Sequence, residues 1–231
     1  MLKQVNELTE DQKISRRERI ENMKDIEVTR EERHVSPCGT YMLLVEGRGR
    51  YAVGVIYKKD EIIGRVHRNY GSFPFSWVCD HPADGHDYLV CSENYTGQTI
   101  VRLDTGERVD YRGTGWIWAT HIVSSDKTEI ACEGCHWGGE YRVKVFDFTD
   151  PMAKPGLPLF EGDGEVTTCE WNSDGTLTHG YTYEHNLVFD KPEFDETEEE
   201  LTHMEKLEKE GHSYSDLYED RQLDNQIWKR S

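Results

Sequence analysis

No run of apolar residues in this chain approaches the ~20 needed to span a bilayer. Met1 to Arg19 is polar and charged, where a secretory leader needs an apolar stretch. Cytoplasmic residence and no membrane engagement are therefore expected. Catalytic signatures are missing as well: there is no P-loop, no Gly-x-Ser-x-Gly and no His-Glu-x-x-His. Hydrophobic residues make up only 35% of the 231, which places part of the length outside any core. Positive charge is scarce, with 27 Lys and Arg against 45 Asp and Glu, for a net −18. The acids concentrate after Asp190, through Glu193, Asp195, Glu196 and Glu198-Glu199-Glu200 to Asp224. Such a field repels phosphate backbones, so nucleic acid is not an expected partner.

What is present is a repeat of turns. Ser36-Pro37-Cys38-Gly39, Pro82-Ala83-Asp84-Gly85, Ser124-Ser125-Asp126-Lys127 and Asn172-Ser173-Asp174-Gly175 end 46, 42 and 48 positions apart. Asp-Gly-type pairs make tight turns because Gly, and less easily Asn or Asp, accepts positive φ. A strand precedes each turn: Ile26 to Val35, Phe75 to Asp80, Trp116 to Val123 and Val166 to Trp171. Strands also follow, at Tyr41 to Val45, Asp87 to Cys91, Glu129 to Cys132 and Leu177 to Tyr181. A further strand comes next at Tyr51 to Tyr57, Thr99 to Leu103, Tyr141 to Phe148 and Asn186 to Phe189. The first three units continue into another, such as Glu61 to His67 or Glu107 to Tyr111.

Four-stranded units recurring at about 45 residues predict a mostly β, propeller-like fold of about four blades. A single blade cannot bury both of its faces, so the units must stack. The fourth lacks an outer strand after Asp190, so either the N-terminal strand completes it or the ring closes by dimerisation. Charged helical segments flank the repeats. Thr9 and Gln12 have capping-box spacing before a helix to Met23. A second helix is expected around Leu201–Leu207 with Gly211 as its stop, and a third short one over 215–228, presenting Leu217, Leu223, Ile227 and Trp228. The organisation expected is a helical segment over 1–24, the β domain over 25–190 and an acidic helical extension over 191–231.

The segments Ser-Pro-Cys-Gly-Thr-Tyr from Ser36, Asn-Ser-Asp-Gly-Thr-Leu from Asn172 and Arg-Leu-Asp-Thr-Gly-Glu from Arg102 resemble those of WD40-like propellers. The stretch from Glu129 to Pro151 is similar to a segment of uncharacterised bacterial and viral proteins of that kind. The resemblance covers residues 25 to 190 and implies a fold, not an active site. The Trp-Asp pair of WD40 blades is absent.

Three groups of residues invite a chemical reading. Cys132-Glu133-Gly134-Cys135-His136 has the spacing of a haem-attachment motif or half a zinc site. No second Cys-x-x-Cys exists, so ordinary buried thiols are expected there, as for most of the six cysteines. Aligning the inner strands on their turns gives a column of Arg33, Cys79, His121 and Cys169, with His34, Asp80, Ile122 and Glu170 beside it. Convergence of Cys79, His121 and Cys169 at a channel would make a soft-metal site suited to zinc. Phe73, Phe75, Trp77, Trp116, Trp118, Trp137 and Trp171 gather near the same strand starts. With Asp80, His121 and Glu170, the residues Trp77, Trp118 and Trp171 would form a recognition face for a peptide or small ligand.

The expected function is a non-enzymatic binding or scaffold module whose loop face engages a protein or small ligand. The alternative is a metal-dependent or acid/base hydrolase at the channel. Self-association through the charged helices is a third reading.

Overall fold

The computed structural model describes residues 2–112, 115–162, 164–193 and 196–230, with backbone alone for 223–225. A two-residue strand β1 (Lys3–Gln4) and helix α1 (Glu10–Met23) come first. The first sheet follows, as β2 (Arg30–Val35), β3 (Tyr41–Arg48), β4 (Tyr51–Lys58) and β5 (Glu61–Arg68). The second comprises β6 (Phe75–Val78), β7 (Tyr88–Cys91), β8 (Gly97–Arg102) and β9 (Glu107–Arg112). The third comprises β10 (Ile122–Val123), β11 (Glu129–Gly134), β12 (Arg142–Asp147) and β13 (Phe160–Glu161). The fourth holds β14 (Glu165–Trp171), β15 (Leu177–Asn186) and β16 (Lys191–Pro192). Helices α2 (Glu198–Lys209) and α3 (Tyr214–Leu217) then lead to β17 (Tyr218–Trp228), which returns to the fourth sheet.

The repeated turns share one backbone solution. Gly39, Gly85, Lys127 and Gly175 all adopt positive φ, between 65° and 80°. Three of these turns close with the last residue's N–H donating to the carbonyl three positions back, in Ser36, Ser124 and Asn172, at 2.8 to 3.1 Å. The second turn is one residue longer, and Gly85 N–H reaches His81 O at 2.7 Å. Ser36 and Ser124 each use their Oγ to accept the N–H of the next strand's first residue, Tyr41 and Glu129, both at 3.0 Å. Lys127 occupies a left-handed position that glycine fills in the other three, at a steric cost of about 1–2 kcal/mol.

Strand alternation assigns each sheet two faces. On β8, Val101 packs toward the first sheet with Leu43, Val45 and Ile56, while Ile100 packs toward the third with Trp118, Ile130 and Phe146. On β12, Phe146 faces the second sheet, whereas Val143 and Val145 meet Cys169 and Leu177 of the fourth. Three shared cores thus join the sheets side by side in chain order, the arrangement of propeller blades.

The end sheets are finished differently. The outer face of the first is covered by Met23 of α1, packed with Leu44, Tyr51, Val53 and Val55. The free face of the fourth is polar, with Thr168, Glu170, Thr178 and Thr182 on it, as solubility of a terminal repeat requires. Among the described residues, no apolar core joins the fourth sheet to the first.

Three expectations are corrected. The N-terminal strand does not complete the fourth sheet; β1 runs parallel to β9, at the outer edge of the second. Leu2 fixes it there by filling the space over Gly64, where a Cβ would lie 2.3 Å from Leu2 Cγ. Of the expected strand Asn186 to Phe189 only Asn186 is extended, as the end of β15, and residues 187–189 form a turn, because no turn-forming residue interrupts Tyr181 to His185. The helix expected over 215–228 is four residues of α3 followed by an eleven-residue strand, β17, paired antiparallel to β15 from Leu177↔Trp228 to Asn186↔Tyr218. An open sheet edge is a template for pairing, and here it overrides weak local helix preference. The side chain of Leu223 lies outside the described residues.

Helices α1 and α2 form where expected, each with a capping box, Thr9 with Gln12 and Thr197 with Glu200. No helix among the described residues is long and apolar enough to cross a membrane.

Candidate ligand-binding cavity between the second and third sheets

The residues proposed from the sequence do not gather into one site. Asp80 is exposed at the second turn, with its N–H donating to Asp87 Oδ1 and its carbonyl accepting from Lys127 Nζ. Glu170 sits on the open face of β14, and Cys169 lies in the core between the third and fourth sheets. His121 is buried, with Nε2 3.0 Å from Ser92 Oγ and its ring stacked on Trp118 at 5.7 Å. Burial, reinforced by the nearby Arg68 guanidinium, lowers the His121 pKa to about 3 and keeps the imidazole neutral. The expected meeting of Cys79, His121 and Cys169 is thereby corrected, since among the described residues they form no coordinating group. Cys79 lies beside Cys38 of the first sheet, His121 against Ser92 of the second and Cys169 in the core between the third and fourth, so a shared alignment column does not become a shared point.

The tryptophans divide likewise. Trp77 packs on the core between the first and second sheets. Trp171 lies in the third–fourth core, where its N–H donates to Ile122 O at 2.9 Å. Cys132 is buried in the second–third core, and burial pushes its thiol up to about 12. Trp137 is 80% exposed.

Trp118 does reach a cavity, of about 300 Å³, between the second and third sheets. Its walls follow from alternation: Gln98 shares the β8 face of Ile100, Tyr111 the β9 face of Val109, and Lys144 the β12 face of Phe146. The segment before β10 supplies Trp116 and Trp118, held against the end of β11 by Ile117 N–H to Cys135 O (2.8 Å) and Ala119 N–H to Glu133 O (3.0 Å). That approach requires Gly134, since a Cβ there would fall 1.9 Å from Ile117 O. Trp118 and Phe146 lie with centroids 4.9 Å apart at 33°. The segment from Lys154 to Pro158 forms the rim and presents Leu157, 89% exposed.

The electrostatics of this cavity run against the acidic chain around it. Arg112, Lys144 and Lys154 all line it. Lys144 is nearly buried, with its ammonium over the Trp116 ring at 4.2 Å and Glu161 at 3.0 Å. A further donor, Gln98 Nε2, is buried without a hydrogen-bond partner among the described residues. An unmet buried donor costs about 1–3 kcal/mol. The arrangement suits a ligand that brings acceptors, preferably anionic, on an apolar body. Gln98 and Lys144 escaped the sequence reading because a polar residue in a strand carries no mark of facing a cavity rather than solvent; only the alternation around Phe146 could have flagged Lys144.

A second polar cluster fastens helix α1. Arg16 donates to both oxygens of Glu93 at 2.6 to 3.0 Å and to Asp110 at 2.8 Å, and Arg19 reaches Glu93 at 2.5 Å. Arg108 bonds both acids. Burial would raise the Asp110 pKa, but Arg108 and Arg16 bring it down to about 2. These five groups pair with one another and hold α1 and β1 to the second sheet.

No protein-family model matches the chain. An uncharacterized protein of Acanthamoeba polyphaga mimivirus is 29% identical over 163 residues, which is 65% of this chain and 61% of that protein. The chain therefore spans about three-fifths of that relative's length. Among solved structures it is similar to the β-propeller domain of Cps50 (Swd1) from Myceliophteria thermophila, at 11% identity and TM-score 0.43, over 64% of this chain and 50% of that one. Hsv2 of Kluyvelomyces marxianus is 18% identical with TM-score 0.41, over 68% and 46%.

Proposed function

We propose that this chain is a binding module, and that its cavity between the second and third sheets takes an anionic, partly apolar segment of a protein partner. The observation that carries this reading is a cavity walled by Trp118 and Phe146 and lined by three cations, Arg112, Lys144 and Lys154, with the donor Gln98 Nε2 buried beside them without an acceptor among the described residues. A carboxylate of the partner would meet them, and its neighbouring apolar side chain would lie against Trp118, Phe146 and the exposed Leu157. Aromatic anchors combined with a few fixed polar groups are the usual composition of recognition pockets.

The test is selection from a displayed library of random peptides on the full chain. Recovered peptides are expected to pair an acidic residue with an aromatic or branched apolar one. They should lose binding to Lys154→Glu and Leu157→Ser, variants whose side chains lie at the exposed rim. Peptides without an acidic residue, or equal binding to both variants, would contradict the proposal.

A further inference from the structure

One group of side chains belongs neither to the cavity nor to the helix clasp. Cys38 lies in the first turn, Cys79 follows β6, and Asp87 precedes β7, so the first two sheets bring them together at the same end of the molecule. Both sulfurs and a carboxylate oxygen lie within 4.8 Å of one another. Tetrahedral thiolate coordination at about 2.3 Å per bond sets ligand separations near 3.8 Å, within reach of small side-chain adjustments. Both cysteines are free thiols. Cys38 is exposed and Cys79 half-buried, which gives an ion a path of entry. The Asp87 carboxylate is already oriented, because Asp80 N–H donates to its Oδ1 at 2.8 Å.

We propose that Cys38, Cys79 and Asp87 bind a thiophilic divalent ion of the zinc type and clasp the turn of the first sheet to that of the second. Two soft sulfurs select zinc over magnesium or calcium, which prefer all-oxygen sets. On binding, each thiol gives its proton to solvent, and the two thiolates and one carboxylate donate electron pairs to the ion. Three protein ligands leave the fourth tetrahedral position to water. The surplus negative charge of the chain favours a cation here over the anions that suit the cavity.

Cobalt(II) is the probe. The full chain, kept reduced with a phosphine and free of chelator, is titrated with Co²⁺ and followed for thiolate-to-cobalt absorption in the near ultraviolet. The proposal expects saturation at one equivalent, displacement by Zn²⁺, loss of the band in Cys38→Ser and in Cys79→Ser, and retention in Cys135→Ser. Circular dichroism of each variant confirms that the fold survives. Absence of the band from the wild-type chain overturns the proposal, whatever the variants do. So does its persistence in Cys38→Ser, or a Cys38–Cys79 disulfide found under the same reducing conditions.

Discussion

Lys144 Nζ stands 4.2 Å from the ring centroid of Trp116, with both side chains almost wholly withdrawn from solvent. A cation so placed is stripped of most of its water and is held by the indole face and by Glu161. It is therefore ready to pair with an entering anion. Lys144→Met, which keeps an unbranched apolar stem and removes the ammonium, is expected to fold normally and to weaken binding of an acidic peptide by at least ~30-fold, the scale of losing a desolvated charge partner. Calorimetric titration of both proteins checks this.

Gln98→Leu should separate stability from binding. Removing a buried donor that nothing accepts is expected to stabilise the free chain by about 1 kcal/mol, while the peptide binds more weakly. Urea unfolding and calorimetry on one sample test both halves. A residue whose role is only structural would give no such opposition.

Glu93 is the hub of the α1 clasp, bonded by Arg16, Arg19 and Arg108. Glu93→Gln leaves buried guanidinium groups short of a counter-charge and should cost about 3–5 kcal/mol. The loss should show first as faster proteolysis within residues 2–24, because that segment is what the clasp holds.

His121 makes stability depend on pH in a defined direction. Its folded pKa, about 3, lies below the unfolded value near 6.5, so between those limits the unfolded chain binds the extra proton. The contribution is complete above pH ~6.5 and is lost as pH falls toward 3, by about 2 kcal/mol between pH 6.5 and 5. His121→Gln should flatten that part of the profile, measured as the difference between urea midpoints at the two pH values.

Removing residues 212–231 would strip β17 from β15 and bare a ten-residue edge. The shortened chain is expected to self-associate in light scattering, as an unpaired edge strand does.

The repeat was legible because its turns obey a local rule. Positive φ at Gly39, Gly85 and Gly175 is written into the residue type, and the units followed from their spacing. What could not be read depends on which distant partner a strand finds. The segment from Tyr218 to Trp228 has no strong local preference and becomes a strand only because β15 offers an edge. Among the site residues, Trp118 was legible as an aromatic at a sheet start. The column through Cys79, His121 and Cys169 failed because equal sequence offsets from a turn place each side chain between its own sheet and the preceding one, not on a common axis. Cys38, the actual neighbour of Cys79, belongs to another unit's turn, and nothing local marks that proximity.

The most direct measurement is a crystal structure of the chain with a selected acidic peptide. A peptide carboxylate oxygen is expected within hydrogen-bond distance of Gln98 Nε2 or Lys144 Nζ, with the adjoining apolar side chain against Trp118. A peptide seated elsewhere, for instance along β17, with Gln98 still unpartnered, would contradict it.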